Sequence, residues 1–408
     1  MDKRTERYLK VYPWYAGFSS DLLFYIAVDS LFLTVVKNFS ASEIVSVTSL
    51  SQLICIALQF PVLFIIKRIG NTASVRMGGF FMLLSAVLIT LAPNYGLVLL
   101  GRVFHDVAAI FNSASVVALE NNLDVLGRRG EFVRFRTRAN TAYAVITMLI
   151  SFVAGAMFNL HHHLPMIGCI ATCTTGFLLS LRMKDCSDYN RIPRQKRERA
   201  KVRVRYSGVV ILAIVLFGLF YTLVANGQNE GKLFIQQKLL LDFSVDQTSL
   251  ILAGIICFSR IVRVVSNMIF VKLYRKYREK MGVALPTLLC TSIGLMLFGS
   301  FIPTVMLKIL VMGLGYTIIL FIRDPFKLYI QDVLFDHTPK EQHQTLLTVM
   351  EFGVKIATAG IGLAFSALLL RYPMLLVIGI MFAIGLAEIV LSIILYRAIV
   401  KGKARAAA

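Results

Sequence analysis

Apolar runs of about twenty residues recur along the whole chain, and no other feature narrows its folding options as far. A run of that length crosses the hydrocarbon core of a bilayer as one α-helix, because a helix satisfies its own backbone where water is absent. Such runs fall at approximately 11–36, 44–66, 76–93, 96–118, 139–160, 164–182, 208–236, 249–271, 284–303, 305–326, 346–369 and 373–396, twelve in all. With 57% hydrophobic and 16% charged residues and a mean hydropathy of +0.73, the 408-residue chain reads as an all-α polytopic membrane protein.

The formal charge of +21 invites a nucleic-acid or anionic partner, so the placement of the charges decides its meaning. Basic residues crowd alternate loops. Lys3, Arg4, Arg7 and Lys10 precede the first span, Lys67, Arg68 and Arg76 surround the second turn, and Arg128, Arg129, Arg134, Arg136 and Arg138 follow the fourth span. The richest stretch is "RMKDCSDYNRIPRQKRERAKVRVRYS", then "VKLYRKYREK", then Arg397, Lys401, Lys403 and Arg405. The intervening loops hold little beyond Lys37, Lys238 and Arg371. By the positive-inside rule both termini are expected in the cytoplasm and the span count is even; the membrane is expected to be the plasma (inner) membrane. The charge is therefore topological, and no nucleic-acid partner is expected.

The first apolar run is too long for a cleaved signal and lacks a small-residue cleavage site, so it is expected to act as its own insertion signal. Cys55, Cys169, Cys173, Cys257 and Cys290 lie in or near apolar spans and Cys186 in the basic loop, without metal-ligand spacing, and no disulfide framework follows. The run "HHH" at 161–163 reads as a solvated turn, and Asn38-Phe-Ser as a sequon too near the membrane to matter. No Gly-rich phosphate loop followed by Lys-Ser/Thr occurs, which speaks against ATP as the energy source. No nucleophile and base share a suitable spacing, so neither an enzyme nor a cofactor is expected.

The basic stretch separates six spans from six, giving a first bundle at 1–182, a linker at 183–206 and a second bundle at 207–408. The halves resemble each other weakly: "LFLTVVKNFSASE" matches "LFIQQKLLLDFSVDQ", and "RRGEFVRFRTRAN" takes the place of "PKEQHQTLLTVME". Repeats of this kind, related by an axis along the membrane normal, build one large transporter class. Six plus six spans, cytoplasmic termini, the basic central loop and the run from Arg102 through "GRRGEFVRFRTRAN" resemble the major facilitator superfamily. In "LFIIKRIGNTAS", Arg68 and Gly70 match the family's loop between helices 2 and 3, while Lys67 stands for its Asp and Leu63 for its first Gly. The family's cytoplasmic charge relay thus lacks its acidic member here, and "VKLYRKYREK" offers no second copy.

The resemblance implies a major facilitator fold of two six-helix bundles, with spans 1, 4, 7 and 10 along the substrate path and 2, 5, 8 and 11 beside them. Polar residues concentrate accordingly. In the first span Asp21, Tyr25 and Asp29 follow at i, i+4 spacing along one side of a helix. The fourth carries Arg102, His105 and Asp106, and Asp29 and Arg102 lie at similar depths, about 10–12 Å below the outer surface, within reach of an ion pair. The seventh contains "ANGQNEGK", where Asn226, Gln228, Asn229 and Glu230 among Gly227 and Gly231 read as a hinge with hydrogen-bonding ligands. Arg260 and Arg263 share a face of the eighth span, Gln52 and Gln59 a stripe of the second, and Arg323 and Asp324 precede Pro325 in the tenth. Glu351 and Lys355 stand at i, i+4 in the eleventh as a self-compensating pair.

Tyr25, Gln52, Gln59, Arg102, Asn226, Gln228, Asn229, Arg260, Arg263 and Arg323 are the candidate substrate ligands, and Asp21, Asp29, His105, Asp106, Glu230, Glu351 and Lys355 the candidate proton-coupling groups. Only groups whose pKa can be drawn towards neutrality load and unload a proton in each cycle. The resemblance implies a monomeric secondary transporter; the Arg260/Arg263 face and the amide-rich seventh span point to a small anionic or zwitterionic solute, and His105 with Asp106 to coupling to protons. Two alternatives stand beside it: efflux of amphipathic drug-like or lipid-like compounds, served by Trp14, Tyr15, Phe18, Phe24 and Tyr25, and a receptor or scaffold of the same fold that moves nothing.

Overall fold

The computed structural model describes residues 3–185, 207–338 and 343–407; most of the linker expected at 183–206 lies outside the described residues. Helices account for the twelve spans, and no strand occurs among the described residues. The first span is interrupted: α1 (Lys3–Ser19) stops, and α2 (Tyr25–Leu31) resumes after five residues and runs into a π-helical turn at Phe32–Val36. α3 (Ala41–Leu91) carries the second and third spans, folded at Gly70, whose φ of 83° favours glycine. α4 (Tyr95–Asn112) and α5 (Ala114–Val125) form the fourth span, α6 (Phe132–Leu160) the fifth and α7 (Leu164–Leu181) the sixth.

In the second half α8 (Gly208–Leu239) is the seventh span. α9 (Val245–Gly299) carries the eighth and ninth with a bend at Tyr277, and α10 (Val305–Asp336), α11 (His343–Leu369) and α12 (Met374–Ala407) complete the set. Among the described residues ten helices are long and apolar enough to cross a bilayer, α3 counting once for its two spans.

The sequence repeat has a local structural counterpart. Ser40 Oγ accepts from the Glu43 N–H at 3.3 Å while Glu43 Oε2 accepts from the Ser40 N–H at 2.8 Å. Ser244 and Gln247 exchange the same two bonds at 3.3 and 3.2 Å. These are reciprocal capping boxes, which satisfy two orphan donors at the start of a helix. They open α3 and α9, each of which then bends between two spans.

The chain divides into two compact units, Met1–Phe39 with Leu50–Arg199, and Ser40–Ser49 with Ala200–Ala408. In the first, Tyr8, Leu9, Tyr12 and Tyr15 of α1 pack with Val75 of α3, Ala118, Leu119 and Leu123 of α5 and Phe135 of α6. A second cluster joins Val62 of α3 to Val103, Val107 and Phe111 of α4. α4 therefore spends one face on apolar packing, which leaves Arg102, His105 and Asp106 on its other sides. In the second unit α9 packs on α10 and α12, and Phe220 of α8 stacks on Phe326 of α10 with centroids 3.7 Å apart.

Candidate functional site

The polar constellation of the first unit is built on the break in the first span. Ser19, Ser20 and Asp21 supply the cause, since short polar side chains offer the backbone alternatives to helix bonding. Ser19 Oγ donates to the Tyr15 carbonyl at 2.7 Å, Ser20 Oγ to that of Ala16, and Asp21 Oδ1 accepts from the Leu22 N–H at 2.8 Å. The freed Ser19 carbonyl is taken up by Asn112 of α4, whose Nδ2 donates to it at 2.9 Å while Oδ1 accepts from the Tyr15 hydroxyl at 2.7 Å. Gly78 on α3 makes room: a Cβ there would lie 2.0 Å from Asn112 Oδ1. Irregular backbone at membrane depth is thus tied into protein, as the absence of water demands.

Against this break stands His105. Its Nε2 lies 3.0 Å from Asp21 Oδ1 and its Nδ1 3.1 Å from Asp106 Oδ1. Each ring nitrogen meets a carboxylate oxygen, so each bond needs one proton. With both bonds made, the trio would hold two protons, either both on the ring or one on the ring and one on a carboxyl. Removing one leaves two lone pairs facing each other and breaks one of the bonds. The side chains are 12% exposed at His105, 16% at Asp106 and 32% at Asp21, so Asp21 is the most open of the three.

Arg102, one turn before Asp106, places its guanidinium 5.9 Å from the centre of the Tyr25 ring, and its Nε is buried without a hydrogen-bond partner. Asp29 Oδ1 accepts from the Ser30 N–H at 2.6 Å. The ladder expected from Asp21 through Tyr25 to Asp29 is corrected in one respect: Asp21 sits in the break and does not share a helical face with the other two. Gln52 and Gln59 are part-buried on α3, with Gln59 Oε1 lacking a hydrogen-bond partner.

The seventh span corrects a second expectation. α8 runs unbroken through 226–232, so "ANGQNEGK" is not a hinge. Its glycines serve close packing: a Cβ at Gly227 would meet Ile319 and Met381, and one at Gly231 would meet Met296 and Tyr316. Contacts with three neighbouring helices compensate the weak helix propensity of glycine. Asn226 and Glu230 are each 3% exposed, and Asn226 Nδ2, Gln228 Nε2 and Glu230 Oε2 are buried without hydrogen-bond partners. Asn229 is exposed and does not join them.

Arg263 forms a fork with Asp324, Nε to Oδ2 at 2.9 Å and Nη2 to Oδ1 at 3.2 Å, so its charge is already matched within the unit. Asp324 stands beside Arg323 in the sequence but is not among the candidate site residues. Arg260 is part-buried, its Nε without a partner, and the Arg323 carbonyl accepts from the Tyr221 hydroxyl at 2.6 Å. Glu351 pairs with Lys327 of α10 at 2.8 Å, and Lys355 is exposed, which corrects the expected Glu351–Lys355 pair. Spacing permits an i, i+4 bridge, but a cation on the adjacent helix competes for the same carboxylate. Between the eighth and ninth spans Arg278 binds Asp332 and Asp336, each at 2.5 Å, so "VKLYRKYREK" takes part in an ion cluster that its sequence did not announce.

An all-helical membrane chain with a broken first span, a repeat, and ionisable clusters on its fourth, eighth and tenth spans is built as a multi-pass transporter. The sequence profile of the Major Facilitator Superfamily matches residues 14–322, and the chain belongs to that family. Solved structures agree on the fold. The nucleoside transporter NupG superposes with a TM-score of 0.70 at 12% identity, over 97% of this chain and 98% of that one. A bacterial homologue of the iron transporter ferroportin, in an inward-facing state, gives 0.66 at 12% identity, over 98% and 99%. A bacterial homologue of the human lysosomal transporter Spinster gives 0.63 at 10% identity, over 97% and 96%. No curated protein sequence matches the chain significantly.

Proposed function

We propose that the chain is a secondary active transporter that moves a small polar organic solute, anionic or zwitterionic, by alternating access, driven by protons. The observation that carries the reading is His105 held between Asp21 and Asp106. Two protons complete this trio, and the loss of one breaks either the His105–Asp21 bond, which joins α4 to the break in the first span, or the His105–Asp106 bond within α4. Proton exchange at the Asp21 bond is thereby also a change in helix contacts. Ionisable groups inside a membrane are costly and mark ion or substrate pathways.

Arg102 with Tyr25, Gln52 and Gln59 in the first unit, and Arg260 and Arg323 with Asn226 and Gln228 in the second, are each proposed as solute ligands, the arginines for an anionic group. The preference for a polar over an amphipathic solute rests on how the first span's aromatics are used. Tyr15 is buried on Asn112, Tyr25 lies under Arg102, and Phe24 packs 3.1 Å from where a Cβ on Gly168 would be. Both termini and the basic linker are proposed to face the cytoplasm of the plasma (inner) membrane. An impermeant thiol reagent applied to intact cells should leave Cys186 unlabelled, and efficient labelling would reverse the orientation.

The reading is tested with purified protein in proteoliposomes. Candidate solutes come from a thermal-shift screen against a metabolite library, and uptake is followed under an imposed pH gradient. Uphill accumulation that collapses when the gradient is dissipated supports the reading. Stabilisation by hydrophobic cations alone would favour amphipathic efflux, and no flux of any metabolite would favour the scaffold.

A further inference from the structure

Glu388 is the single charged residue of the stretch 374–396 in α12, and it is 0% exposed. Neither carboxyl oxygen has a hydrogen-bond partner. The stretch of α12 just before it packs closely on α9. Three residues earlier, a Cβ on Gly385 would lie 3.3 Å from Cys290 Cβ of α9, and the Cys290 thiol approaches the Phe382 carbonyl at 3.9 Å. Residues three apart on a helix share a face, so Glu388 points into the same α9–α12 seam.

Among the described residues no cation bonds Glu388. In α9 the stretch 281–299 carries no charged residue, and Cys290 is its only titratable one. In α8 the stretch 208–225 carries only Tyr221, whose hydroxyl is engaged by the Arg323 carbonyl; the titratable Glu230, Lys232 and Lys238 follow beyond Gly227, which faces Met381, about two turns of α12 away from Glu388. In α11 the charged residues of the span are Glu351, bound to Lys327, and the exposed Lys355. An isolated carboxylate in such a place costs far more than a neutral acid, and the group takes up a proton instead. As a neutral acid it still makes no hydrogen bond, so it contributes nothing to packing that a methionine or glutamine would not.

We propose that Glu388 is a proton-binding site of the second unit, occupied as a neutral carboxylic acid while the α9–α12 seam is packed and emptied when water reaches that seam. Its ligand is the proton. The release step rests on the proton-coupled reading above; the occupancy does not. A carboxyl kept without any partner is explained by the proton it holds, whereas a structural acid would be expected to bond something.

The test uses the full-length protein in lipid. Infrared difference spectra of wild type against Glu388→Gln and Glu388→Met at mildly alkaline pH should show the carbonyl-stretch band of a protonated carboxyl, present in wild type and lost in both variants. Thermal melting should place both variants no lower than wild type, because no bond is removed. Absence of the band from wild type, or a marked drop in melting temperature for both variants, would overturn the occupancy. In proteoliposomes the ratio of protons to solute moved should fall in Glu388→Gln, and an unaltered ratio would overturn the release step. Solute flux in wild type with no proton movement at all would instead remove the coupling reading, with the infrared band still deciding the occupancy.

Discussion

Asp21 and His105, separated by 84 residues in the chain, meet at 3.0 Å where the first span breaks. The contact makes a backbone irregularity and a titratable ring parts of one assembly, since Asp21 also receives the Leu22 N–H at the start of the break. Asp106 completes the assembly from the far side of the ring at 3.1 Å.

If the trio exchanges the coupling proton, Asp106→Asn removes one protonatable partner while keeping a group of the same shape beside His105. Uphill accumulation should be lost, and counterflow of labelled solute, which needs no net proton, should continue. His105→Gln should behave alike, and Arg102→Ala should impair both processes. Wild-type rates and pH dependence in Asp106→Asn and His105→Gln would reduce the trio to a structural role.

Asn112 should matter to stability more than to coupling. Asn112→Ala strands the Tyr15 hydroxyl and the Ser19 carbonyl together, and each buried polar group left unpaired costs about 1–3 kcal/mol. Gly78→Ala should reproduce part of the loss, because its Cβ would displace Asn112 Oδ1. Melting in detergent checks both, and additive losses in the double variant would contradict a shared cause.

The Arg263–Asp324 fork predicts that lysine is a poor substitute. Arg263→Lys keeps the charge but offers a point donor in place of two parallel N–H groups. With side chains 27% and 29% exposed the pair is only partly desolvated, so a loss on the order of 1–2 kcal/mol is expected. A double-mutant cycle with Asp324→Asn measures the coupling directly.

Between α5 and α6 the Arg128 guanidinium bonds Glu131 at 2.7 and 2.9 Å, holding its carboxyl below the usual glutamate value. A lowered folded-state value means that the ion pair stabilises the turn above the ordinary glutamate pKa and is lost as pH falls through the folded value. Hydrogen exchange across 128–131 should therefore quicken only in acid below that ordinary value. Glu131→Gln should show the quickened exchange at neutral pH already.

Much of the architecture was legible along the chain. The apolar runs, the alternation of basic loops and the repeat "FSASE" with "FSVDQ" depend on hydrophobicity and on bonds between residues three apart, which sequence displays directly. Asp21, His105 and Asp106 were each recognisable as intramembrane charges. His105 and Asp106 were adjacent in the chain, but the meeting of Asp21 with His105 was not legible, because it depends on Ser19, Ser20 and Asp21 interrupting the helix and turning Asp21 towards α4. Spacing misled where two outcomes shared one pattern. Gly227 and Gly231 suit a hinge or a tight helix contact equally, and the nearness of Met296, Ile319 and Met381 selected the contact. Glu351 could reach Lys355, yet Lys327 lay closer on α10. Asn112 carried no signal, and Asp324 and Glu388 were visible only as charges inside apolar spans, since what distinguishes them is the presence or absence of a partner. The chain itself determined which segments enter the membrane, because transfer from water is a local property of each segment. Tertiary structure alone decided which polar groups meet, because partners 84 or 97 residues apart are brought together only by helix packing.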